Sequence, residues 1–330
     1  MTTAAASTNP AAARSDLESL FLYMRDFELA FLTGDWSVLE PHFHEDARHR
    51  IDGGGLPLGS GGDGRAAVLA GLAAGVDAVD RRFDVRIPEI VEGPATREDG
   101  VWMRFALTLR RAGLPDLRID GEHLAAFRDG RIASLDEKVA PGEPARVAAY
   151  LAENGAMLKA PGSAFAPPAA AADFDTLNDA MGRSLVRCYG AAKSEQNGNA
   201  ALAVCDAGFS IDTVAFGIRS RDREETRGQL GAFFAAFPDY RVTLEGFATS
   251  TGIVTCWGRV RLTFGGDFLS HRATGRTAEL PIFCVFEVGG GMLASERFFF
   301  DLAAFCEQIG VPVAALSSDL RSLQGVGMAA

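Results

Sequence analysis

The chain reads as two divergent copies of one unit, and this duplication limits the folds open to it. Each copy opens with an amphipathic helix. Leu17, Leu20, Phe21, Met24, Phe27 and Phe31 fall on one helical stripe, and Leu177, Met181, Leu185 and Cys188 on another. A short strand-like piece follows in each (ARHRID at 47–52, FSIDTV at 209–214), then a second helix, then alternating strands. The last strand of each copy carries an Ala-Ser pair, at 133–134 and 294–295. Helices first and strands afterwards predict an α+β class, with helices packed on one face of a mostly antiparallel sheet. Between the copies lies a stretch rich in proline and alanine that cannot build a core. The expected division is a disordered N-terminus over 1–16, a first domain over 17–160, a linker over 161–173, a second domain over 174–315 and a loose tail over 316–330. Each domain is long enough for its own core.

Charge and composition exclude several functions. The net charge is −11, from 43 acidic against 32 basic side chains, in a chain of 330 residues that is 48% hydrophobic. A nucleic-acid binder needs a clustered positive surface, and an anionic membrane would repel this chain. No apolar run approaches the roughly 18 residues that cross a bilayer, and the first sixteen residues lack the pattern of a secretory signal. A cytoplasmic protein is expected. The five cysteines (Cys188, Cys205, Cys256, Cys284, Cys306) are odd in number and form no C-x-x-C pair, so they read as reduced, small apolar side chains. The Gly-rich GSGGDG at 59–64 fits a dinucleotide fingerprint in letters only. No buried parallel strand precedes it, so a flexible loop is expected. HFHEDARH at 42–49 holds three histidines without metal-ligand spacing, so no metal is expected.

The second copy carries a more particular string: FPDY at 237–240, Trp257 in a strand, TFGGDF, ATGR at 273–276, VFEV, FFFD and QIG at 308–310. This resembles the SnoaL-like polyketide cyclases of the nuclear transport factor 2-like superfamily. The first copy resembles a more distant member through GDW at 34–36, PHFHEDA at 41–47 and FRDGRI at 127–132. The resemblance implies two tandem cones, each a strongly curved sheet wrapped around a pocket. It also implies an acid/base aspartate at the end of the last strand, which maps onto Asp301. A helix N-cap is the competing role for Asp301, because the segment after it looks helical. Where family members carry a histidine in their GTHTGEF string, this chain has Phe264, and His271 lies seven residues later in a loop.

Trp257 and Arg259 share one strand face, which either lines the cone or forms an interface. With His271, Phe283 and Phe299 they complete the candidate substrate-binding set of the second domain. In the first domain Ala140 stands where Asp301 would be, and the polar candidates are His49, Arg104, His123 and Asp136. Two histidines and an acid in one pocket suit proton transfer, although satisfied polar residues at a strand rim are the plainer reading.

The resulting expectation is cofactor-independent acid/base catalysis, a cyclisation or isomerisation of a small apolar carbonyl compound such as a polyketide intermediate. The second domain is expected to be the active one. The alternatives are a non-catalytic ligand-binding or dimerisation module, and an epoxide hydrolase or dehydratase. The expected partners are an apolar small molecule, the other domain of the same chain, and a second copy in a homodimer.

Overall fold

The structure, a computed structural model, describes residues 14–52, 61–166 and 171–327. The first unit opens with α1 (Asp16–Thr33), whose N-terminus is capped by the Ser15 hydroxyl accepting the Glu18 N–H at 3.1 Å. A 3₁₀ turn (Trp36–His42) leads to β1 (Phe43–Asp52), β2 (Gly62–Asp63) and α2 (Arg65–Ala78). Four strands follow, β3 (Val85–Arg97), β4 (Gly100–Arg110), β5 (Leu117–Arg128) and β6 (Arg131–Val139), and then α3 (Glu143–Asn154). The second unit repeats the plan. It has α4 (Ala171–Ser194), α5 (Gly198–Ala203), β7 (Cys205–Thr213), β8 (Ile218–Arg219) and α6 (Arg223–Ala236). Then come β9 (Arg241–Ser250), β10 (Ile253–Thr263), β11 (Thr277–Gly289), β12 (Met292–Phe299), α7 (Leu302–Ile309) and α8 (Val313–Gly327).

Each unit holds one six-stranded sheet, in the orders β2-β1-β6-β5-β4-β3 and β8-β7-β12-β11-β10-β9. These orders superpose strand for strand. In each sheet one pair runs parallel, β1 with β6 and β7 with β12, and the remaining pairs are antiparallel. The fold is therefore α+β, in two tandem units, as the element pattern predicts. The Ala-Ser pairs occupy matching places, since Ser134 pairs with Arg48 across β6/β1 and Ser295 with Ser210 across β12/β7.

Helix α4 joins the units. Each sheet has one long edge strand, β3 in the first and β9 in the second, and α4 packs on both. Ser184 donates to the Ala180 carbonyl, one turn back, and accepts the Ile90 N–H of β3 at 2.9 Å. Ser194 does the same for the other sheet, donating to Gly190 and accepting the Val242 N–H of β9 at 2.9 Å. Ten residues at about 100° each place the two hydroxyls on different sides of one helix. Glu195 accepts the Thr96 N–H, and Arg183 pairs with Glu89 at 2.6 Å. Gly182 lets α4 approach the second sheet, since a Cβ there would lie 2.6 Å from Val254 Cγ2. A second junction links two helix caps: Asn197, which caps α5, donates to Ser15 Oγ at 2.6 Å.

Several boundaries differ from the sequence expectations. The N-terminal and linker expectations lie partly outside the described residues, but Asp16 is already helical and α4 begins at Ala171, inside the stretch read as linker. In the Gly-rich 59–64 segment, Gly62 and Asp63 are paired with His49 and Arg48, so this part is strand and not loop. The loose tail is corrected as well. α8 occupies much of it, because Leu316 and Leu320, one helical turn apart, are buried. The two expected cores are largely one: a single apolar cluster runs from Leu17, Leu20 and Phe21 of α1 to Val186, Tyr189 and Phe286 of the second unit. Among the described residues, no helix is long and apolar enough to cross a membrane.

Ser184→Ala and Ser194→Ala each leave an edge-strand N–H without its acceptor. Each should cost about 1–2 kcal/mol in urea unfolding, and the double variant about the sum, because the two partners are separate.

Candidate functional site

The residues marked in the second unit do not converge. Asp301 is exposed at the start of α7, where its Oδ1 accepts the Ala303 and Ala304 N–H groups at 2.8 and 3.0 Å. This is the geometry of a helix N-cap. Trp257 and Phe283 face each other across β10/β11 and each is 42% exposed, on the outer side of the sheet. Phe299 lies beside Phe283 on the same outer face, with ring centroids 6.1 Å apart. Arg259, also outside, pairs with Glu245 at 3.3 Å and Glu279 at 3.6 Å. His271 sits in its loop with Nε2 3.5 Å from Asp319 of α8.

The interior of the second unit holds residues that the sequence did not single out. Phe216 packs on Phe268, Phe300 and Phe305, and Phe237 packs on Phe264, Phe268 and Phe305. The same interior holds a buried ion pair, with Lys193 Nζ 3.3 Å from both Glu296 oxygens. Tyr189 donates its hydroxyl to Glu296 Oε2 at 2.8 Å. Burial works against the lysine's charge, but Glu296 outweighs it and holds the Lys193 pKa above its ordinary value. The Tyr240 hydroxyl is buried and has no hydrogen-bond partner. The cavity beside these groups measures about 20 Å³. A water needs about 10–15 Å³ by such a measure, so there is room for a water and not for an organic guest.

The first unit is arranged differently. His49 on β1, His123 on β5 and Glu137 on β6 point to the same inner side of the sheet. His49 is 3% exposed and its Nε2 lies 3.1 Å from Glu137 Oε1. His123 Nε2 lies 3.6 Å from the same oxygen, and about a fifth of both side chains reaches solvent (22% and 21%). A carboxylate only accepts, so the His49 proton on this bond sits on Nε2. Its Nδ1 is then an acceptor, and it is buried without a partner. Burial pushes the Glu137 carboxyl up, but His123 and His49 together outweigh it and hold the group well below the carboxylate range. Gly121 makes room for the wall of the site. A Cβ there would lie 2.7 Å from the Phe105 ring, which packs tilted against His123 with 4.4 Å between centroids. Deeper in the unit, Arg86 bridges Glu28 and Asp80, each at 2.8 Å, and ties α1 to β3.

Two of the four first-unit candidates therefore meet. The other two lie outside: Arg104 pairs with Glu92 at 3.1 Å, and exposed Asp136 sits 3.3 Å from the Ser134 hydroxyl. The inward acid is Glu137, one residue later. Strand alternation around Leu135 gives this parity, because residues 135, 137 and 139 share a face. His42 and His44 do not join the cluster; they pair with Asp26 and Asp46, each at 2.7 Å. Register places the same sites in both units. His123 opposes Glu137 as Cys284 opposes Phe298, and Ile51 opposes Glu137 as Thr213 opposes Phe298. The second unit thus has Ile211, Cys284 and Phe298 where the first has His49, His123 and Glu137.

Residues 183–309 match the family model of the SnoaL-like polyketide cyclases. No curated protein matches the chain. Among solved structures, a candidate SnoaL-like polyketide cyclase from Jannaschia sp. CCS1 is 18% identical, covering 41% of this chain and 95% of its own, with a TM-score of 0.38. A protein of ketosteroid isomerase-like fold from Catenulispora acidiphila is 19% identical, over 39% of this chain and 95% of its own, with a TM-score of 0.35. An epoxide hydrolase from M. tuberculosis, similar to LEH, is 17% identical, over 38% and 86%, with a TM-score of 0.32.

Two stability results follow. Lys193→Met strands a buried carboxylate and should cost about 3–5 kcal/mol in urea unfolding, whereas the joint change with Glu296→Leu should cost less. Asp301→Ala should cost about 1 kcal/mol by losing the cap, and Asp301→Asn only a fraction of that.

Proposed function

We propose, from a second unit that is SnoaL-like over 183–309 and a first unit of the same topology, that the chain carries out cofactor-independent proton transfer in the first unit. The substrate is a small, largely apolar carbonyl compound, and the outcome is an isomerisation or cyclisation of the kind the family name describes. One observation carries this reading: a single carboxylate, Glu137, holds His49 and faces His123 on the inner side of a sheet, with part of the group open to solvent. His123 takes a proton from the carbon beside the carbonyl, and the electron pair moves into the enolate. With Nε2 turned to Glu137, Nδ1 of His123 is the nitrogen that receives the proton. Glu137 steadies the imidazolium that forms and fixes the ring's orientation, as a carboxylate does for a catalytic histidine. Phe105 gives the guest an apolar wall. His49, buried on the other side of Glu137, holds that carboxylate in place.

For the second unit a non-catalytic role is favoured, since the cavity beside its buried ion pair measures about 20 Å³ and holds no organic guest. On this reading the second unit is a support that holds β3 through α4.

The test is deuterium uptake beside the carbonyl in a panel of aromatic and alicyclic ketones in D₂O, read by mass spectrometry. Wild type should accelerate uptake. His123→Gln should lose about 10²–10⁴-fold of it, the range for a general base. Asp301→Asn should keep it. Equal rates with and without His123, or loss on Asp301→Asn, would overturn the assignment.

The pH dependence of stability gives a second check. Glu137 has a lowered pKa in the folded chain, so its contribution is complete above the unfolded carboxyl's ordinary 4.5 and fades as pH falls below it. The stability gap between wild type and Glu137→Gln should therefore be full near neutral pH and shrink in acid. A gap that widens in acid would contradict this.

A further inference from the structure

Cys256 on β10 stands directly opposite Cys284 on β11. Both side chains point inward and are buried, at 1% and 4% exposure, and both thiols are free. The Cys256 thiol lies close enough to the Cys284 thiol to raise its pKa. Directly opposed residues of an antiparallel pair have Cα atoms about 4.5–5.5 Å apart. A disulfide spans Cα separations of about 4.4–6.8 Å, so directly opposed cysteines stand within its reach. The pair also lines the cavity of about 20 Å³, together with Lys193 and the unpartnered Tyr240 hydroxyl.

We propose that Cys256 and Cys284 form an oxidation site for hydrogen peroxide, closing to a cross-strand disulfide inside the second unit. The cavity admits a molecule little larger than water, which suits peroxide and excludes bulky oxidants. In the first step one sulfur attacks a peroxide oxygen. The S–O bond forms, the O–O bond breaks, and the leaving hydroxide takes the thiol proton as water. The Tyr240 hydroxyl is placed to donate to that leaving oxygen. In the second step the other sulfur attacks the sulfenic sulfur, the S–S bond forms, and the hydroxyl leaves with the second proton as water. The balance is two thiols and one peroxide to one disulfide and two waters. The neighbouring Cys256 thiol and burial together keep the Cys284 thiol protonated, so the reaction is slow. This inference is independent of the proton chemistry in the first unit.

The test uses the whole folded protein. It is exposed to hydrogen peroxide, quenched, denatured in iodoacetamide and weighed intact, then mapped by proteolysis. Three of the five cysteines should be alkylated, with Cys256 linked to Cys284, and dithiothreitol should restore all five. The same treatment of the urea-unfolded chain should scatter the links among the cysteines. Cys284→Ser should give no link and leave Cys256 as a sulfenic acid that dimedone traps. Five alkylated cysteines after long exposure, separate sulfinic or sulfonic acids, or links to Cys188, Cys205 or Cys306 in the folded protein would overturn the proposal.

Discussion

A helix lying between two sheet edges is the constraint on which the rest of the structure depends. An edge strand exposes a row of N–H and C=O groups that pairs readily with another chain. Each unit ends its sheet on such a strand, and both edges meet α4. Two serines, each anchored to the carbonyl one turn back, give each edge an acceptor. The helix belongs to the second unit by sequence and to both by contact. For this reason the apolar core runs through the chain and does not stop at the Pro/Ala stretch. β3 carries Arg86, which ties α1 through Glu28 to the inner layer of the first unit, so α4 fixes the frame in which His49, His123 and Glu137 meet.

With the frame shared, the two interiors have diverged. At three matching positions the first unit has His, His and Glu, and the second has Ile, Cys and Phe. The first set keeps polar groups near water. The second set completes an apolar interior whose charged groups, Lys193 and Glu296, are matched to each other and to Tyr189. Burying this pair costs desolvation on both sides, which the mutual attraction and the tyrosine hydrogen bond offset. The pair holds α4 against β12 from within the second unit, while the serines hold it from the edges.

The α+β class, the duplication and the strand-by-strand equivalence were legible in the sequence. Hydrophobic period and the repeated Ala-Ser carry that information locally. The site was legible only in part. His49 and His123 follow from strand parity, and alternation from Leu135 selects Glu137, not Asp136, as the inward acid. Asp301 stood out through the resemblance, and its local role as a cap is equally visible in the helical segment after it. Lys193 and Glu296 lie 103 residues apart and meet only through the packing of α4 on β12. No local pattern announces such a pair, although Lys193 is one of three lysines in the chain. The inward or outward sense of Trp257 and Arg259 needed the sheet's curvature, which alternation alone does not give.

The most direct measurement of the central claim is chemical-shift mapping of the histidine C–H and tyrosine ring signals while a phenolate enolate mimic is titrated into the protein. Binding in the first unit predicts saturable shifts of His49 and His123, lost in Glu137→Gln, with Tyr189 and Tyr240 unmoved. Shifts confined to Tyr189 and Tyr240 would place the guest in the second unit and contradict the account.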